Sequence, residues 1–526
     1  MKSMKIKTMF IKHIAIVLLI FYNSMCMAQT EWTYFSEEPI LAMDPLVSWG
    51  AYGQPTVLIH DDTIRMWYAV AETTPTDPVV RGRIHYAWSL DGYTWNKHPN
   101  NPVFDVGESG QWDDEWLDTP GILWDGNEFK LYYYADSEYF AGNLDNTAIG
   151  LATSPDGINW TRQGKVLDMG GPDEWDGHHI ELPALYYDSE IGLYAMLYTG
   201  ADRSNYPLVG FIKIGLAISF DGYEWMKWPT NPVMDVGTYP SFNDIGVAGP
   251  AIVETDGIFE MWYSGIQAFA PEYSSYDSLK IGYAVSLNGT SWIQYPGNPV
   301  LKATPGDSTV FWAIGVVWDD SDNLYKMYFE SHHWQYEEPT QPGVFNSMNA
   351  IFYATAPRTV IYSPECSTSV SDDITIFTGG STQLEAQGGE FYQWDPADGL
   401  SSTDIANPIA SPEETTTYTV LIVSETCITK EEVTVTVFDN SQILDNFADF
   451  QFKIFPNPAN SNSEIYSNYN FKNSHITISN VLGQIVYTGT INNGNKLFIA
   501  KELNPGLYNI KITENESIFN TKIIIK

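Results

Sequence analysis

Ser89-Leu90-Asp91-Gly92-Tyr93-Thr94-Trp95 returns three times along the chain, as Ser154-Pro155-Asp156-Gly157-Ile158-Asn159-Trp160, Ser219-Phe220-Asp221-Gly222-Tyr223-Glu224-Trp225 and Ser286-Leu287-Asn288-Gly289-Thr290-Ser291-Trp292. Successive Asp or Asn positions lie 65, 65 and 67 residues apart. A fixed period of this kind marks a repeat architecture. It is too long for a forty-residue propeller repeat and fits a four-stranded blade with one long loop.

Working outward from the turn, every period reads alike. A strand opens at proline: Pro55-Thr-Val-Leu-Ile-His60, Pro120-Gly-Ile-Leu-Trp124, Pro183-Ala-Leu-Tyr-Tyr187 and Pro250-Ala-Ile-Val-Glu254. An aromatic strand follows, at Met66-Trp-Tyr68, Leu131-Tyr-Tyr-Tyr134, Tyr194-Ala-Met-Leu-Tyr198 and Met261-Trp-Tyr263. The third is Ile84-His-Tyr-Ala87, Ile149-Gly-Leu-Ala152, Ile214-Gly-Leu-Ala217 or Ile281-Gly-Tyr-Ala284. The Asp-Gly pair then turns the chain into a fourth strand that carries the Trp. A fifth period supplies only three strands, at 313–318, 325–329 and 350–354. Glu31-Trp32-Thr-Tyr-Phe-Ser-Glu-Glu-Pro39-Ile40 resembles Trp95-Asn-Lys-His-Pro-Asn-Asn-Pro102-Val103, so the N-terminal segment is expected to complete the fifth blade and remove an open edge.

At 526 residues, the chain needs more than one core. The fold expected is all-β: a five-bladed β-propeller over 29–360, a small β-sandwich over 361–440, and a C-terminal β-sandwich over 449–526. Residues 1–28 read as a signal peptide, with Lys2, Lys5, Lys7 and Lys12 before a short apolar run and a cut after Ala28. That run is too short to span a bilayer, so the mature chain is expected to carry no transmembrane helix. Cys26 follows Met25, which is bulky for a lipoprotein signal. Cys366 and Cys427, close together in an exported chain, favour a disulfide. A net charge of −39 speaks against nucleic acid and anionic membranes as partners. The 18 Trp and 33 Tyr suit packed sheets, and also the flat faces on which sugar rings stack.

Residues just before each repeated proline converge at one end of the central channel. They are Gly53-Gln54, Asp118-Thr119, Glu181-Leu182 and Ala248-Gly249. Asp118 and Glu181 thus enter one funnel from adjacent blades. Glycoside hydrolysis needs such a pair, one carboxyl to protonate the leaving oxygen and one carboxylate to activate water, attack, or steady positive charge. Gln54, Trp116, Trp175, His178, His179, Asp244 and Trp312 lie where they could bind substrate. The three indoles are as well placed to pack between blades. The Ser-x-Asp-Gly-x-x-Trp turns read as structural, with Asp on turn amides and Trp between blades.

The propeller, about Thr30 to Pro357, resembles the five-bladed clan of arabinanases, xylosidases and fructosidases. Asp118 in Leu117-Asp-Thr-Pro120 matches that clan's modulating Asp, and Glu181 in Ile180-Glu-Leu-Pro183 its acid Glu. Tyr52-Gly53-Gln54-Pro55 departs from the pattern, because the blade-one base is missing; Asp44 and Asp114 are candidates to replace it. The turns resemble the Asp-boxes of sialidases, with one residue fewer between Asp and Gly. The middle segment resembles immunoglobulin-like or polycystic-kidney-disease-type modules. Phe455-Pro-Asn-Pro458, Ile476-Thr-Ile-Ser-Asn-Val-Leu-Gly483 and Leu503-Asn-Pro-Gly-Leu-Tyr508 resemble the C-terminal sorting domain of type IX secretion. That resemblance implies a Bacteroidetes source, the type IX machinery as a partner, and a secreted or outer-membrane surface location. The function implied is a glycoside hydrolase acting on a carbohydrate, the alternative being a non-catalytic carbohydrate-binding propeller. No cofactor is implied beyond the calcium that several clan members hold in the channel, for which this sequence has no compact motif.

Overall fold

The computed structural model describes residues 32–36, 39–41, 52–137, 147–189, 191–203, 211–267, 279–301, 313–333, 348–357, 367–425, 427–438, 452–455, 464–481, 483–498, 503, 506–514 and 517–525. The expected signal peptide and the Pro456-Asn457-Pro458 stretch lie outside them.

The alternating apolar segments form five antiparallel blades, each with its inner strand at the channel. Blade one is Tyr52–His60, Thr63–Thr74, Asp77–Ser89 and Asn96–Lys97; blade two is Trp116–Trp124, Phe129–Asp136, Ala148–Ser154 and Thr161–Asp168. Blade three is His179–Asp188, Leu193–Ala201, Ile212–Ser219 and Met226–Lys227; blade four is Gly246–Thr255, Ile258–Ile266, Leu279–Ser286 and Ile293–Gln294. Blade five has three strands in sequence, Ile314–Asp319, Leu324–His333 and Met348–Pro357, and takes its fourth from the N-terminus. There Thr33 pairs with Thr355 and Tyr34 with Ala354. The ring is therefore tied by both ends of the propeller, as the Trp32/Trp95 likeness leads one to expect.

The repeated turns do structural work only. Asp91 Oδ1 accepts from the Tyr93 and Thr94 amides at 3.0 and 2.7 Å, and Asp156 and Asp221 repeat this at their own turns. Partial burial opposes ionisation of Asp91, but the Thr94 and Tyr93 amides and the Ser89 hydroxyl hold its carboxyl down at about 2. Gly92 takes a φ of 87°, open to glycine at no steric cost. Its carbonyl accepts from Tyr328 of blade five, just as Gly157 accepts from Trp67 of blade one and Gly222 from Tyr132 of blade two. The turn tryptophans meet the same aromatics edge-on, Trp95 with Tyr328 and Trp225 with Tyr132, both at 5.4 Å. The turns of blades one, two and three are thus latches onto the preceding blade.

The chain folds into two compact units. The first holds the propeller and most of the middle module; the second is essentially residues 436–526. In the module Phe391–Asp395, Thr416–Val423 and Ile428–Phe438 pair antiparallel, around buried Trp394, Tyr418, Val420 and Ile422. It packs on blade four at the end opposite the inner-strand starts. Gln393 accepts from the Leu287 amide at 2.8 Å and donates to the Ser291 carbonyl at 2.7 Å. Lys430 donates to the Asp256 carbonyl, and Leu421, Val423 and Ile428 join the apolar cluster of blades four and five. Cys427 is buried and disulfide-bonded; Cys366 lies outside the described residues. In the second unit Phe452–Phe455, Glu464–Asn480, Ile485–Phe498, Gly506–Glu514 and Ser517–Ile525 make one sheet, with Phe471, Ile476, Ile478, Tyr508, Ile510 and Ile512 buried. Among the described residues no helix is long and apolar enough to cross a membrane.

Trp32 is 8% exposed and meets Trp262 edge-on at 6.0 Å. Trp32→Ala should cost the fold about 3–5 kcal/mol, read as a lower melting temperature. An unchanged melting temperature would show that the N-terminal strand does not close the ring.

Candidate active site

Four inner strands break register at one place. Gly53, Asp118, Glu181 and Ala248 pair with the second strand, and pairing resumes only at Thr56, Gly121, Ala184 and Ala251. Each inner strand thus carries one extra residue, a β-bulge, immediately before or at the repeated proline. The residue preceding the proline is left-handed in every case: Gln54 at φ 56°, Thr119 at 41°, Leu182 at 55° and Gly249 at 55°. Glycine adopts this readily, whereas a β-branched residue such as Thr119 is a true outlier there. Strain of this kind persists only where neighbours hold it and is concentrated at functional sites.

Side chains of the preceding blade supply the restraint. The Thr119 amide donates to Gln54 Oε1 at 2.9 Å, the Leu182 amide to Thr119 Oγ1 at 3.1 Å, and the Gly249 amide to Thr199 Oγ1 at 3.0 Å. Gln54, read from sequence as a substrate ligand, is placed here as a tie between blades one and two. This ring lines a cavity of ≈ 70 Å³ between the inner strands. Its walls are prolines, alanines, glycines and branched aliphatics, with Gln54, Thr56 and Thr119. That lining presents no carboxylate, and no group of three or more His, Cys, Asp or Glu among the described residues is arranged to hold a metal.

The carboxylates stand at the mouth. Asp118 Oδ1 accepts from the Thr119 amide at 2.8 Å and Oδ2 from the Trp116 indole at 3.1 Å. Burial raises its pKa to about 7, against those two hydrogen bonds, and the negative charges of Glu330 and Glu181 push the same way. Glu181 enters from blade three, its side chain 14% exposed, with Oε1 3.5 Å from His179 Nε2. His178 and His179 are buried and their Nδ1 atoms lie 2.9 Å apart, so His179 supports Glu181 from behind and His178 supports His179.

Glu330 was not anticipated. It lies on the second strand of blade five, only 5% exposed. Its carboxylate fills the space beside Gly53, where an added Cβ would come within 2.7 Å of Oε2. Blade one lacks a carboxyl of its own at this position, and the neighbouring blade puts one there. The two loop candidates do not. Asp44 lies outside the described residues, and Asp114 Oδ2 accepts from the Gly110 amide at 2.6 Å within its own loop.

The other expected site residues are placed as follows. Trp175 packs inside blade three against Tyr198 at 5.6 Å, close enough to Gly215 that a Cβ there would meet its ring at 2.6 Å. Trp112 and Phe242 stand likewise against Tyr133 and Tyr263, so this aromatic is a repeated packing element rather than a sugar platform. Trp116 begins the inner strand of blade two, and its indole N–H donates to Asp118. Asp244 is 6% exposed and accepts from the Ser241 amide at 3.4 Å, the counterpart of the Asp114 turn. Trp312 lies outside the described residues.

Because the folded value of Asp118 stands above its usual 3.8, the folded state keeps a proton that the unfolded chain releases. The stability this contributes is full below that ordinary value and is lost as pH rises through about 7. Asp118→Asn should therefore melt above the native chain at pH 8–9, with the gap closing toward pH 5. Equal melting temperatures across that range would show that Asp118 titrates as an ordinary carboxyl.

Known proteins resemble parts of this chain. Two uncharacterized proteins from strains of Mycobacterium tuberculosis are 30% identical over 193 residues, 36% of this chain and 56% of theirs. The chain thus spans little more than half the length of these relatives. A 1,2-beta-oligomannan phosphorylase from a Thermoanaerobacter species is 30% identical over 129 residues, 24% of this chain and 40% of that one. A family 117 glycoside hydrolase from Zobellia galactanivorans superposes with a TM-score of 0.44 at 17% identity, over 62% of this chain and 90% of that one. Residues 453–526 match the family described as the secretion system C-terminal sorting domain, and this tail marks the protein as secreted or held at the cell surface.

Proposed function

We propose that the propeller is a glycoside hydrolase acting on a polysaccharide or its oligosaccharides outside the cell. The observation that carries this reading is Asp118, a carboxyl whose pKa near 7 lets it keep a proton under neutral conditions, standing at the mouth with Glu181 on the neighbouring blade. Matching the donor's pKa to the working pH is what general acid catalysis requires. The proton donor is accordingly assigned to Asp118, where the family resemblance had implied Glu181. Asp118 gives its proton to the glycosidic oxygen as the bond to the anomeric carbon breaks. Glu181, backed by His179, supplies the partner carboxylate that the charged transition state needs. Water completes the reaction and the proton it loses restores the site. The named phosphorylase relative supports sugar as the substrate class and makes phosphate the alternative acceptor.

The secreted chain, incubated with a glycan panel with and without inorganic phosphate, should release sugar from at least one member. Asp118→Asn should lower that turnover by about 10²–10⁴-fold while sparing a 2,4-dinitrophenyl glycoside of the same sugar, whose leaving group needs no proton. Glu181→Gln should depress both substrates. Binding without release from any glycan would replace this reading with the carbohydrate-binding propeller, for which the side-chain-free Gly53 is the favouring observation.

A further inference from the structure

In each bulged blade one residue of the second strand pairs with the last inner-strand residue before the bulge. On blades one to four these are Ala69, Tyr134, Thr199 and Ser264. On blade five the same place falls to Glu330, two residues beyond Tyr328 as Tyr134 is two beyond Tyr132. A buried acid at a position otherwise small, hydroxylic or aromatic is expensive unless its surroundings use it. Here it reaches into the one slot of the mouth without a side chain, beside Gly53. The next residue, Gln54, shares the Thr119 amide with Asp118.

We propose that Glu330 is a positioning residue of the mouth: reaching from blade five into the place left open by Gly53, it sets a carboxylate beside Asp118, the proton donor of the proposed reaction. The inference rests on Asp118 being the donor of the proposed reaction. Tyr134, paired with Asp118 across blade two, donates its hydroxyl to Asp136. Trp116 and Thr119 of blade two donate to it and favour the ionised form; Gln54 of blade one meets only the Thr119 amide. Glu181 comes from blade three with His179 behind it, and Glu330 from blade five. Two like charges flanking a carboxyl disfavour its ionisation, and Glu330 is the stronger of the two. Gly53 is part of the device, since any side chain there would displace the Glu330 carboxylate.

The test needs no substrate. In the secreted chain with ¹³C-labelled aspartate carboxyls, an infrared pH titration, with the Asp118→Asn chain subtracted, isolates the Asp118 carboxyl band. Its midpoint should lie near pH 7 in the native chain and fall by about one pH unit in Glu330→Gln. Glu330→Ser, which copies the residue blade four already carries there, should show the same fall and serves if Glu330→Gln folds poorly. Glu330→Asp, which retains the charge, should move the midpoint less than either. A midpoint unchanged in both neutral variants overturns the inference. Failure of every glycan to be cleaved would defeat the proposed function separately, and would leave the outcome of this titration standing.

Discussion

One backbone feature arranges the mouth: the bulge that interrupts each of four inner strands beside the repeated proline. Without the extra residue, alternation along the strand would put Asp118 and Gly121, and likewise Glu181 and Ala184, on opposite faces; with it each pair meets second-strand partners on one face. With it, the pre-proline residue turns left-handed, its amide faces the preceding blade, and the residue before it is presented at the channel end. Three of those four amides are met by a side chain of the neighbouring blade or strand. The strain of Thr119 and Leu182 is thus held by contacts between blades, so the geometry of the carboxyls depends on the ring staying closed.

Closure comes from the opposite face and from the chain's own beginning. The Asp-Gly turns of blades one, two and three latch each to the blade before it through a carbonyl and a tryptophan, and the Thr33–Tyr34 strand fills the last blade. The middle module adds a brace where Gln393 grips the blade-four turn from Leu287 to Ser291. All of this lies away from the carboxyls, which leaves the mouth to chemistry and the far end to stability. The secretion tail is a separate unit with its own sheet.

Repetition made the blades, the closing strand and the Asp118/Glu181 pair legible in the sequence, because all three are fixed by register to a proline or a Trp. What escaped had no periodic signal. Glu330 sits where the other blades carry Ala69, Tyr134, Thr199 and Ser264, so no alignment of repeats would single it out as facing Gly53. The bulges were hidden for a related reason: Gln54, Thr119 and Leu182 are not residues that advertise a positive φ, and only Gly249 hinted at one. Trp175 was misjudged although the signal existed. Trp112, Trp175 and Phe242 stand ahead of Asp113, Asp176 and Asn243, and Gly150, Gly215 and Gly265 leave the room such a ring needs. The resemblance implies Glu181 as the acid; the proposed function gives that role to Asp118, whose burial raises its pKa.

The central claim is that three carboxyls from three blades meet at one mouth with the proton on Asp118. An atomic-resolution crystal structure at pH 6 tests it most directly, because a protonated carboxyl has two unequal carbon–oxygen bonds and an ionised one has equal bonds. The account expects unequal bonds in Asp118, with the Glu330 carboxylate lying against Gly53. Equal bonds in Asp118 at that pH, or Glu330 turned away from blade one, would contradict it.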